Sequence, residues 1–172
     1  MAALAAIDVA LWDIAGKLAG LPTYRLLGGP TRDKVRLFAT LGGAPSPEEL
    51  AERAKAKVEE GFTAVRCNPF SGNLTAFADM GFNQIVRSAE MYVAAVRKAI
   101  GEEIDLGIDV IAVLSPHEAI AVGRALEPYG LHYFEDPIEP DNTDAVRELR
   151  RKHEELTRGQ EVFESYGEKC NS

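Results

Sequence analysis

The chain has 172 residues, 46% hydrophobic and 27% charged, enough for one domain with a real core or one and a half small ones. Nineteen Lys and Arg against 27 Asp and Glu leave a net charge of −8, which argues against binding a phosphate backbone. No apolar run approaches the ~20 residues of a membrane span, and Cys67 and Cys170 have neither disulfide-framework nor metal-ligand spacing. The expectation is a soluble cytoplasmic protein with no nucleic-acid or membrane partner.

In residues 4–20, Ile7, Leu11, Ile14 and Leu18 recur at helical spacing among alanines. Asp8 and Asp13 interrupt the stretch, so it reads as a helix and not as a secretory signal. Leu21-Pro22 ends the helix and Gly28-Gly29-Pro30 closes the segment. Val35–Thr40 then reads as a strand. Ser46-Pro47-Glu48-Glu49 has the form of a capping box with proline at the first helical position. That helix runs to Gly61, and Phe62–Arg66 reads as the next strand.

The same unit recurs further on. Ser115-Pro116-His117-Glu118 is a second capping box, Gly130 lies fifteen residues after Ser115 as Gly61 does after Ser46, and Leu131–Glu135 parallels residues 62–66. Between the two units lie a polar loop at Ser71–Asp79, a helix at Asn83–Ile100 and the strand Ile104–Val110; a last helix covers Asp144–Lys152. Alternating strands and helices imply βα units around a parallel sheet, and the internal repeat favours a (β/α) barrel over a doubly wound sheet. No glycine-rich dinucleotide fingerprint and no GxxxxGK loop follows any strand. A full eight-unit barrel takes about 250 residues; residues 35–172 number 138, room for four to five units. A partial barrel is expected.

Barrel chemistry sits at the C-terminal ends of the strands. In Ile104–Val110 the apolar set is Ile104, Leu106, Ile108 and Val110, which turns Asp105, Gly107 and Asp109 inward. By the same parity Leu131, Tyr133 and Glu135 face inward, so Asp109 and Glu135 share one mouth. Arg66 and Asn68 occupy the matching place on the preceding strand. Two carboxylates and a nearby cation suit a hard divalent ion and an oxyanionic substrate, and equally suit ordinary loop acids with an ion pair.

Two stretches carry a family resemblance. One is Ala3–Lys17 with Pro22 and Leu26-Leu27-Gly28; the other is Leu106-Gly107-Ile108-Asp109 with Ala119, Leu126 and Phe134-Glu135-Asp136-Pro137. Together with the strand order they resemble the mandelate racemase and muconate lactonizing enzyme branch of the enolase superfamily over residues 3–152. The run Glu135–Asn142 is most similar to its acid-sugar dehydratases, such as galactonate and mannonate dehydratases. The resemblance implies that residues 1–30 end an N-terminal α+β capping domain, 31–152 form the first half of the barrel, and 153–172 are a divergent tail with a remnant of strand five.

It further implies Mg²⁺ held by Asp109 and Glu135. A third ligand would end strand five: Glu161 lies 26 residues beyond Glu135, as Glu135 does beyond Asp109, while an alternative alignment places Gln160 there. In such enzymes a base takes the α-proton of a sugar acid, cations hold the enediolate charge, and water is lost to a 2-keto-3-deoxy acid. Arg66 would contact substrate, support the enolate, or form a simple ion pair. Relatives carry a histidine two residues after the first ligand; here that position is Ile111, which cannot transfer a proton. His117, His132 and His153 read as surface or packing residues. Two expectations follow: a Mg²⁺-dependent dehydratase, alone or completed by another chain, or an inactive truncated fragment that keeps only the half-barrel fold. The open strand edges of a half barrel favour a homo-oligomer.

Overall fold

The computed structural model describes residues 2–72 and 77–156, and the chain divides into two units between Arg36 and Leu37. The first holds α1 (Ala2–Ala19) and the short α2 (Thr23–Leu26). They are joined by a turn in which Leu21 N–H donates to Gly16 O at 3.0 Å. The expected tail, with Gln160 and Glu161, lies outside the described residues, as does part of the Ser71–Asp79 loop.

The second unit alternates strand and helix: β1 (Ala39–Gly42), α3 (Pro47–Glu59), β2 (Ala64–Cys67), α4 (Phe82–Ile100), β3 (Asp105–Asp109), α5 (Pro116–Leu126), β4 (Tyr133–Glu135) and α6 (Thr143–Leu156). The strands form one parallel sheet in the order β1-β2-β3-β4. This is a partial (β/α) barrel of four units. Its core is built from one parity of the strands, Leu106, Ile108 and Val110 among them, against Leu50 and Ala54 of α3, Val93 and Val96 of α4, and Val122 and Leu126 of α5. Parallel strands need such a covered face, and the opposite parity is left for polar groups.

Helix starts follow local chemistry. Ser115 Oγ accepts from Glu118 N–H while Glu118 returns a bond to Ser115 N–H at 2.8 Å, a complete capping box. At α3 only half of the expected box forms. Ser46 Oγ accepts from Glu49 N–H, but the Glu49 carboxylate pairs instead with Arg53, which also donates to Gly43 O. β1 departs more from expectation, beginning at Ala39 and not at Val35. Its ladder with β2 opens at Ala39↔Val65, so residues 35–38 precede the strand, and Val35 and Leu37 are exposed. α6 continues through Leu156, beyond the Lys152 expected from sequence, as its polar composition permits.

The N-terminal ends of β3 and β4 are tied by one residue. Arg97, near the end of α4, donates to the carbonyls of Gly101, Ile104, Tyr129 and Gly130 at 2.7–3.0 Å. A planar guanidinium can serve four acceptors at once; an ammonium cannot. Arg97→Met should therefore cost at least about 3 kcal/mol in urea unfolding, and Arg97→Lys should recover less than half of the loss.

Candidate metal centre at the strand tips

The inward parity of the four strands forms ordered rows. Thr40, Arg66, Gly107 and Tyr133 are register partners across the whole sheet, and Asp109 and Glu135 pair one step nearer the C-terminal tips. Gly107 makes the first row possible. A Cβ there would lie 2.2 Å from Tyr133 Cζ, so the tyrosine ring lies across the glycine. Tyr133 also meets Phe38 edge-on at 5.1 Å, and burial pushes its hydroxyl up to about 12.

From the row below, Arg66 reaches up to both acids. Its Nη1 lies 2.9 Å from Glu135 Oε2 and 3.4 Å from Asp109 Oδ2, and Nη2 donates to Thr40 Oγ1 at 3.4 Å. The three charged side chains are 21–29% exposed, dry enough for the pairing to count. The hydrogen bond to Glu135 holds the Arg66 pKa above its usual value against the opposing effect of burial. Its Nε is buried without a hydrogen-bond partner. The structure thus brings together Arg66, Asp109 and Glu135 of the residues singled out from sequence.

A cavity of about 200 Å³ opens beside this cluster, lined by Thr40, Arg66, Asn68, Ser71, Asp109 and Ile111 among others. Asn68 lines it but is spent locally: its Oδ1 accepts from Phe70 N–H at 2.8 Å and Ser71 N–H at 3.1 Å. Beneath it Cys67 is fully buried, and burial pushes its thiol up to about 12, which leaves it inert. The loops after β1 and β2 touch backbone to backbone, since a Cβ on Gly72 would fall 1.8 Å from Ala44 O. His117, at the start of α5, stacks on Phe82, and exposed His132 lies against Phe38 at the opposite end of the sheet. His153's side chain lies outside the described residues.

Two features were not legible beforehand. β1 carries a register irregularity between Thr40 and Gly42, with Gly42 at φ 66°, so that Asn68 N–H reaches Gly42 O. Beyond β3 and β4, Ile111 (φ 47°), Ala112 (φ 56°) and Asp136 (φ 43°) are the non-glycine residues with positive φ among the described residues. Such a conformation costs about 1–2 kcal/mol per residue. Ile111 is a marked outlier, being β-branched.

Asp109 Oδ2 and Glu135 Oε2 converge on one positive charge, here the guanidinium. Hard carboxylate oxygens so placed suit two positions of a divalent ion's shell. Among the described residues no third His, Cys, Asp or Glu joins them.

A parallel half barrel with paired acids at its strand tips defines an α/β barrel protein. Comparison with known proteins gives the family. Residues 49–163 match the enolase C-terminal domain-like family and residues 1–28 the N-terminal domain of mandelate racemase and muconate lactonizing enzyme. The chain belongs to the mandelate racemase/muconate lactonizing enzyme family of the enolase superfamily. It is 35% identical over 150 residues to a D-gluconate dehydratase of Thermoproteus tenax, covering 86% of this chain and 29% of that protein. Among solved structures it resembles the 3,6-anhydro-D-galactonate cycloisomerase of Zobellia galactanivorans (36% identity, TM-score 0.69, 88% of this chain and 39% of that one). It also resembles an enolase from Pantoea ananatis with bound D-gluconate and Mg (30% identity, TM-score 0.69, 84% and 41%). The chain therefore spans well under half the length of these relatives.

Two outcomes test the site's construction. Gly107→Ala should destabilise by about 1–3 kcal/mol in chemical denaturation, and by clearly less in a Tyr133→Leu background, where the ring is gone. Arg66→Met leaves two facing carboxylates without their cation. The variant's thermal midpoint should fall, and by clearly less in a Glu135→Gln background, where one of the two facing charges is gone.

Proposed function

We propose that this chain supplies the metal- and carboxylate-binding part of a Mg²⁺-dependent acid-sugar dehydratase site. The observation that carries this reading is the convergence of Asp109 Oδ2 and Glu135 Oε2, from register-paired strand tips, on a single positive charge. The D-gluconate dehydratase relative and the neighbour holding D-gluconate and Mg support the substrate class and the metal.

Asp109 and Glu135 would hold the ion, with Glu161 or Gln160 at the third position expected from sequence. When bound, Mg²⁺ supplies Lewis-acid polarisation of a substrate carboxylate and lowers the cost of removing its α-proton. Arg66 offers paired N–H donors to an oxyanion and a fixed positive charge where negative charge develops. Loss of the α-proton and of the β-hydroxyl as water then gives the 2-keto-3-deoxy acid. Thr40 and Ser71 line the adjoining cavity with hydroxyls suited to sugar oxygens.

The proton acceptor is the weak point of the site. Ile111 stands where a histidine would serve, and the buried Cys67 thiol does not ionise near neutrality. That observation favours a second reading, a module that binds the metal and sugar acid without turnover.

Thermal unfolding in EDTA and in millimolar MgCl₂ tests the metal. Saturation at about 100 times the dissociation constant stabilises by about 2.7 kcal/mol, a rise of roughly 5–10 °C for a chain of this size. The rise should vanish in Asp109→Ala and in Glu135→Ala. A cooperative transition that ignores Mg²⁺ would refute the metal site. With the shift present, release of a 2-keto acid from D-gluconate separates the dehydratase from the binding module.

A further inference from the structure

We propose that the left-handed turn at Ile111–Ala112 is a positioning device for the cation-facing oxygen of Asp109. The inference rests on the reading of Asp109 and Glu135 as ion ligands and assigns a role that neither residue of the turn has in it. All the non-glycine residues with positive φ among those described lie within three positions of the two acids. Backbone strain concentrated in this way needs a source of support.

Side-chain burial does not provide it. Ile111 is 51% exposed, so its apolar side chain gains little from the conformation. Hydrogen bonds around the acids do. Ile111 N–H donates to Asp109 Oδ1 at 3.0 Å, and Ala112 N–H donates to Asp136 O at 2.7 Å. Val110 N–H donates to Glu135 O at 3.2 Å, so the β3–β4 ladder continues past the strand ends into the turn. One oxygen of Asp109 is thereby held by the backbone, and the other, Oδ2, is directed at the positive charge. A carboxylate anchored at one oxygen keeps its orientation when the cation is exchanged.

Two variants of the full chain separate positioning from structure. Glycine adopts positive φ freely but leaves the turn loose, whereas asparagine tolerates the conformation and keeps a side chain. Midpoints in EDTA should rise by about 2–4 °C in both Ile111→Gly and Ile111→Asn, as strain is relieved. Mg²⁺ affinity, measured by isothermal titration calorimetry well below the midpoints, should weaken about 10-fold in Ile111→Gly and stay within about twofold in Ile111→Asn. Equal affinity in the parent chain and Ile111→Gly would overturn the positioning role while leaving the metal site standing. A parent chain that binds no Mg²⁺ would remove the metal site and the positioning role with it.

Discussion

Two carboxylates on adjacent parallel strand tips repel each other, and the rest of the mouth is arranged around that fact. Asp109 and Glu135 are in register, so no slip of β4 against β3 can part them without moving the sheet. A positive charge between them offsets that repulsion. Arg66 supplies it from the row below, where Gly107 leaves the space that the Tyr133 ring occupies.

The division of labour between the two faces of the sheet follows from strand alternation. Leu106, Ile108 and Val110 bury completely against the helices, and this face carries the stability of the unit. Asp109, Glu135 and Arg66 project from the other face, where they add little to the core and are free to differ in chemistry. The family shares the scaffold, and the cycloisomerase and dehydratase names among its relatives show how far reactions diverge on it.

What could be read from sequence was whatever depends on near neighbours or strict period. The Ser115–Glu118 box, the inward parity of Asp109 and Glu135, and the strand–helix order all rest on spacing within a few residues. β1 was displaced because Val35 and Leu37 alternate like a strand yet precede the ladder, a matter settled by β2 and not by residues 35–40. Glu49 likewise matched a capping box until Arg53, one turn on, took its carboxylate. The reason for Gly107 was hidden because its neighbour in space, Tyr133, lies 26 residues away. The left-handed turn at Ile111 was invisible for a plainer reason: no isoleucine advertises positive φ.

The Arg97 tie has a consequence for how the unit comes apart. Its four acceptors are backbone carbonyls, two before β3 and two before β4, so the guanidinium holds the strand origins without drawing on any side chain of the mouth. The tips are held instead by the charged side chains of Arg66, Asp109 and Glu135. The two ends of the sheet therefore rest on separate fastenings. A substitution at the mouth leaves the knot at the far end intact, so the frame can keep its register while the groups on its rim are exchanged.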